Sequence, residues 1–67
     1  YRGVEAISVR EKDVLKLLAQ GNTNKQIAAE LGIAQDTTKK HVQAVISKLG
    51  VTSRTQAAVK AIRSGLV

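Results

Sequence analysis

Sixty-seven residues make one domain, and a chain this short buries only about 60% of the surface its unfolded form exposes, so the core must be small. It is drawn from Ile, Val, Leu and Ala with one aromatic, Tyr1, and the absence of Cys excludes a disulfide scaffold and a thiolate zinc site and fits a reducing compartment. The net charge of +6 points to a polyanionic partner, while the chain has no apolar run long enough to span a bilayer and no signal-peptide pattern, so no membrane partner is expected.

The opening residues, YRGVEAI, lack helix periodicity, and 1–7 read as a linker remnant with Ile7 packing against the first helix. A chain that opens on Tyr and holds no Met reads as a fragment, so a further domain is expected before Tyr1. Residues 8–67 form the folded unit. Ser8 and Glu11 make a capping box that opens a helix running to about Gln20, whose apolar stripe is Val14, Leu17 and Leu18, and Gly21 ends it.

Thr23 and Gln26 form a second capping box, so the next helix starts at about Asn24. Its Ile27, Ala28 and Leu31 share one face, with Lys25 and Glu30 turned away. Gly32 follows directly and allows a left-handed turn at little cost, and Ile33 fills the angle beyond it. A third helix is predicted from about Gln35 to Leu49. At about 100° per residue, Thr38, Val42, Val45 and Leu49 fall on one stripe with Ile46 at its edge, and that stripe faces the core. Asp36, Lys40, Gln43 and Ser47 project from the opposite side, flanked by Lys39 and Ala44. Two capped helices joined at a glycine, the second with long donors on its free face, have the layout of a helix-turn-helix, and that face suits a major groove.

Ser53 and Gln56 make a third capping box, starting a last helix from Arg54 to about Ser64 with Gly65 closing it. Its Ala57, Ala58, Val59, Ala61 and Ile62 spread over more than one face, so one face can dock on the domain while another meets a partner chain. The predicted fold class is therefore all-α, a four-helix bundle with a central helix-turn-helix. Charge is divided unevenly along it. Residues 1 to 36 hold Arg2, Arg10, Lys12, Lys16 and Lys25 against Glu5, Glu11, Asp13, Glu30 and Asp36, which cancel; residues 37 to 67 hold Lys39, Lys40, Lys48, Arg54, Lys60 and Arg63 with no acid. Neutralising phosphates releases condensed counterions, and these six cations suggest about four to six phosphate contacts per protomer and a log K against log salt slope of about −4 to −5.

His41 stands alone, with no Cys and no acid or second His at ligand spacing, so it builds neither a metal nor a catalytic site. The chain carries no nucleophile triad, Walker-type or dinucleotide signature, and no enzyme activity or cofactor is expected. Three function classes are open to a small basic helical domain. A helical protein-interaction module has no need of the cationic excess, and a sigma-factor region-four-like domain usually lacks the K-L-G-V and S-R-T-Q-A continuation present here, so a sequence-reading double-stranded DNA binder is favoured.

The combination of N-K-Q-I-A at residues 24–28, T-x-K-x-H at 37–41, K-L-G-V at 48–51 and S-R-T-Q-A at 53–57 closely resembles the C-terminal DNA-binding domain of LuxR/FixJ/NarL-type bacterial transcription regulators, over Ile7 to Val67. The resemblance implies a third helix that reads the major groove and a fourth that pairs two protomers, with Ala57, Val59 and Ala61 as the pairing residues. It places Lys39, Lys40 and Gln43 against base edges. Thr23, Asn24 and Lys25 take backbone-anchoring positions at a helix N-terminus, where free N–H groups favour phosphate, and Thr37 and Arg54 are further phosphate contacts. For the full-length protein it implies an N-terminal receiver or ligand-binding domain, a homodimer on DNA, RNA polymerase as a candidate partner, and a bacterial cytoplasmic, nucleoid-associated location.

Two positions depart from that pattern. Thr38 replaces the usual Val on the core stripe, so its hydroxyl needs a partner, expected to be a carbonyl one turn back. Ala34 replaces the usual Ser-like cap, at a cost on the order of 1 kcal/mol. Asp36 stays open between repelling phosphates, accepting from a cytosine amino group and pairing with Lys40 four residues on, of which the pairing is favoured.

Overall fold

The computed structural model describes residues 7–67, and among these it contains helices and no strand. In chain order they are α1 (Val9–Ala19), α2 (Asn24–Leu31), α3 (Gln35–Leu49) and α4 (Arg54–Arg63), each within a residue or so of its predicted span. Of the expected linker remnant, residues 1–6 lie outside the described residues; Ile7 is half-buried and packs against the core.

The starts follow the caps. Ser8 Oγ accepts from the Glu11 N–H and Glu11 Oε1 accepts from the Ser8 N–H, and Thr23 with Gln26 does the same. The third box closes only by half. Ser53 Oγ accepts from the Gln56 N–H, but Gln56 Oε1 accepts from the backbone N–H and hydroxyl of Thr52, so the reciprocal bond moves one residue upstream. The turns follow the glycines: Gly32 at φ 67° and Gly50 at φ 68° lie in the left-handed region, where a residue without Cβ is unstrained. Each lets the next N–H reach back to close the helix, Ile33 to the Ala28 carbonyl and Val51 to the Ile46 carbonyl.

Helices α1 and α3 each pack on all three others, while α2 and α4 do not meet through their helical bodies. The core is Val14, Leu15 and Leu18 from α1, Ile27 and Ala28 from α2, Thr38, Val42, Val45 and Leu49 from α3, and Ala57 and Ala61 from α4. The α3 stripe is the predicted one. The α1 stripe is not: Leu15 is fully buried and Leu17 only half-buried. A helix covered from three directions needs a wider apolar arc than one covered from a single side, and the narrow stripe left Leu15 out.

Candidate nucleic-acid interface

Helices α2 and α3 are joined across Gly32, Ile33 and Ala34. Because Thr38, Val42, Val45 and Leu49 are locked into the core, the opposite side of α3 is forced outward, and Asp36, Thr37, Lys39, Lys40, Gln43 and Ser47 are all exposed there or beside it. Asp36, Lys39, Lys40 and Gln43 line one open cleft. Lys39 and Gln43 also border a second cleft shared with Asn24, Thr52, Ser53 and Arg54. The three residues expected against base edges, Lys39, Lys40 and Gln43, are thus brought together on one ridge.

Thr38 meets the need its hydroxyl created: Oγ1 donates to the Ala34 carbonyl at 3.2 Å. Ala34 supplies no side-chain cap. The favoured pairing of Asp36 with Lys40 does not form, and the Asp36 side chain makes no hydrogen bond or ion pair with any described residue. Both side chains are exposed, and water solvates two separate charges about as well as a surface pair stabilises them.

The expected phosphate-binding residues divide into two kinds. Lys25 and Thr37 are exposed at the first turns of α2 and α3. Thr23 is exposed but engaged in its cap. Asn24 and Arg54 are half-buried and bonded to each other: Arg54 Nη1 donates to Asn24 Oδ1 at 2.8 Å and Nη2 donates to the Asn22 carbonyl at 3.0 Å. Asn22 Nδ2 in turn donates to the Leu17 carbonyl at 2.8 Å. This network ties the start of α4 to the start of α2 and the end of α1, holding the α2 N-terminus in place beside α3. Asn22 had no signal of its own in the sequence beyond standing one residue after a helix-ending glycine.

The end of α3 is held in a similar way. Lys48 Nζ donates to Glu11 Oε1 at 2.6 Å, and Lys60 Nζ donates to the Leu49 carbonyl at 2.7 Å. Glu11 is only 8% exposed. Burial by itself raises its carboxyl pKa, but the bonds from the Lys48 ammonium and the Ser8 N–H outweigh that and hold it below its ordinary value. Nothing local in the sequence pairs residues 11 and 48. The count of six uncompensated cations is corrected accordingly: Lys48 is neutralised by Glu11, while Arg54 and Lys60 are engaged within the fold.

On α4 the expected pairing residues are corrected too. Ala57 and Ala61 are both fully buried, so neither can reach a second chain; their small side chains let α4 approach α1 and α3 closely. Val59 is 41% and Ile62 57% exposed, and these form the outer apolar face. None of the described helices is long and apolar enough to cross a membrane.

A family model described as bacterial regulatory proteins of the luxR family matches residues 5–61. The transcriptional regulatory protein LiaR of Bacillus subtilis (strain 168) is 49% identical over 63 residues, covering 94% of this chain and 30% of LiaR. Among solved structures, the response regulator ChrA of a heme-sensing two-component system superposes with a TM-score of 0.86 at 44% identity, over 92% of this chain and 31% of that one. The transcription factor GerE superposes with a TM-score of 0.80 at 34% identity, over 88% of each chain. The chain thus spans about a third of LiaR and ChrA and nearly all of GerE. Its four helices, its helix-turn-helix and these matches agree: the chain belongs to the luxR family of bacterial regulatory proteins and is a DNA-binding domain of a transcription regulator, not an enzyme.

Proposed function

We propose that the domain binds a specific double-stranded DNA site with α3 in the major groove, and that two protomers pair on that site through the outer face of α4. The observation that carries this reading is the ridge of Lys39, Lys40 and Gln43, exposed and adjacent on the side of α3 away from its buried stripe. Long donors on a protruding helix suit the acceptor-rich major-groove edge of guanine and adenine, while Lys25 and Thr37 at the neighbouring helix starts suit the flanking phosphates. Thr23 and Asn24 support the same end through their backbone, and Arg54 acts there mainly by holding Asn24. Since the chain matches under a third of LiaR and ChrA, the full-length protein is proposed to carry an N-terminal receiver or other sensing domain. It is further proposed to act in the bacterial cytoplasm on nucleoid DNA, with RNA polymerase as a partner in transcription control.

The direct test titrates a selected duplex against the parent chain, Lys40→Ala and Gln43→Ala. Each substitution is expected to lower specific affinity by about 1–3 kcal/mol and non-specific affinity much less. If both variants discriminate target from random DNA as well as the parent does, α3 does not read the groove.

A further inference from the structure

One acidic side chain stands within the cationic ridge of α3. Asp36 is the only acid beyond Glu30, it lies in the first turn of α3, and it lines the same cleft as Lys39, Lys40 and Gln43. Its side chain has no partner among the described residues, although two lysines share its cleft. Successive residues advance by about 100°, so Asp36 and Gln43, seven apart, differ by only about 20° in direction. A groove that receives Gln43 also receives Asp36, about one turn nearer the helix start than Lys40 on the same face.

A carboxylate carried into DNA is repelled by phosphates unless it meets a donor. A carboxylate accepts hydrogen bonds and cannot donate them. In the major groove guanine offers N7 and O6 and thymine offers O4, all acceptors, which a carboxylate rejects. Adenine offers its N6 amino group beside the N7 acceptor, which opposes the second carboxylate oxygen. Cytosine offers the N4 amino group with no acceptor on its own major-groove edge. We infer that Asp36 is a specificity-determining residue whose carboxylate accepts from the N4 amino group of one cytosine in each half-site and rejects guanine and thymine there. This rests on the groove assignment of α3 proposed above. Discrimination by exclusion explains why an acid is compatible with an otherwise cationic reading face.

Selection of bound duplexes from a random pool, run in parallel with the parent chain, Asp36→Ala and Asp36→Asn, tests it. The parent is expected to enrich a motif with cytosine at one half-site position. Asp36→Ala should reduce the preference at that position about tenfold and leave the others intact. Asp36→Asn, whose amide can also donate, should admit guanine or thymine at the same position. Identical motifs from all three proteins would overturn the inference, as would adenine in place of cytosine. So would a uniform loss of affinity with an unchanged motif, which would assign Asp36 to helix stability, read independently from thermal melts followed by circular dichroism. Binding without any enriched motif, by parent and variants alike, would instead mark the failure of the sequence-reading proposal itself.

Discussion

Ala34 occupies the N-cap of α3 with φ −68° and ψ 151°, the extended geometry a capping residue adopts, yet it offers no side-chain acceptor. One of the free N–H groups in the first turn of α3 is therefore left to water. Ala34→Ser restores the acceptor without moving the backbone. It is expected to stabilise the domain by about 1 kcal/mol, raising the melting midpoint by about 4–8 °C in a domain of this size. A thermal melt showing no increase would mean that the Thr38 hydroxyl, which already bonds the Ala34 carbonyl, holds this turn in a form the serine cannot cap. Thr38 itself illustrates how a buried hydroxyl is accommodated: it is fully buried and it stays in the core stripe because its own helix supplies the acceptor.

Between elements, the bridge from Glu11 on α1 to Lys48 on α3 gives stability a defined pH dependence. The Glu11 carboxyl is depressed in the folded chain relative to its ordinary value of 4.5. A group depressed by folding contributes stability that is fully present above the unfolded pKa and is lost as pH falls through the folded pKa. The parent should therefore lose stability as acid is added below about pH 4.5, beyond the general loss shared by other carboxylates. Glu11→Gln keeps the shape but not the charge. It is expected to be less stable than the parent at neutral pH and to show a flatter acid limb, with the two urea-unfolding midpoints converging as pH falls. Parallel curves would mean that the bridge carries no net charge coupling.

At the scale of the molecule, the salt response and the dimer test separate what is steered from what is built. With Lys48 neutralised and Arg54 and Lys60 engaged internally, the cations left to displace counterions near the ridge are Lys25 at a flanking phosphate and Lys39 and Lys40 in the groove. Three contacts per protomer give a log K against log salt slope of about −3, shallower than the bare charge count suggests. A measured slope of −5 or steeper would show that the internal partners release on binding. The proposed pairing through α4 would rest on few apolar atoms, those of Val59 and Ile62, far less than a stable interface needs, so it should form only where two half-sites hold the protomers at high effective concentration. Val59→Glu is expected to weaken binding to a two-half-site duplex at least tenfold while leaving a single half-site within about twofold, by titration. Equal losses on both duplexes would rule out pairing through this face.

Local chemistry alone determined where the helices of this chain begin and end, because caps such as Ser8 and Thr23 and stops such as Gly32 act within a few residues. It also determined which side of α3 faces outward, because a four-residue apolar repeat can be buried in only one direction. The base-edge roles expected of Lys39, Lys40 and Gln43 came from the resemblance of its motifs together with their place opposite the buried stripe. Only the tertiary structure decided which polar groups are available. Glu11 meets Lys48 from thirty-seven residues away and Arg54 meets Asn24 from thirty, distances at which neither spacing nor propensity carries information. It also decided that Ala57 and Ala61 are interior, since an alanine is compatible with either side of a helix and only the approach of α1 and α3 fixes which side is covered.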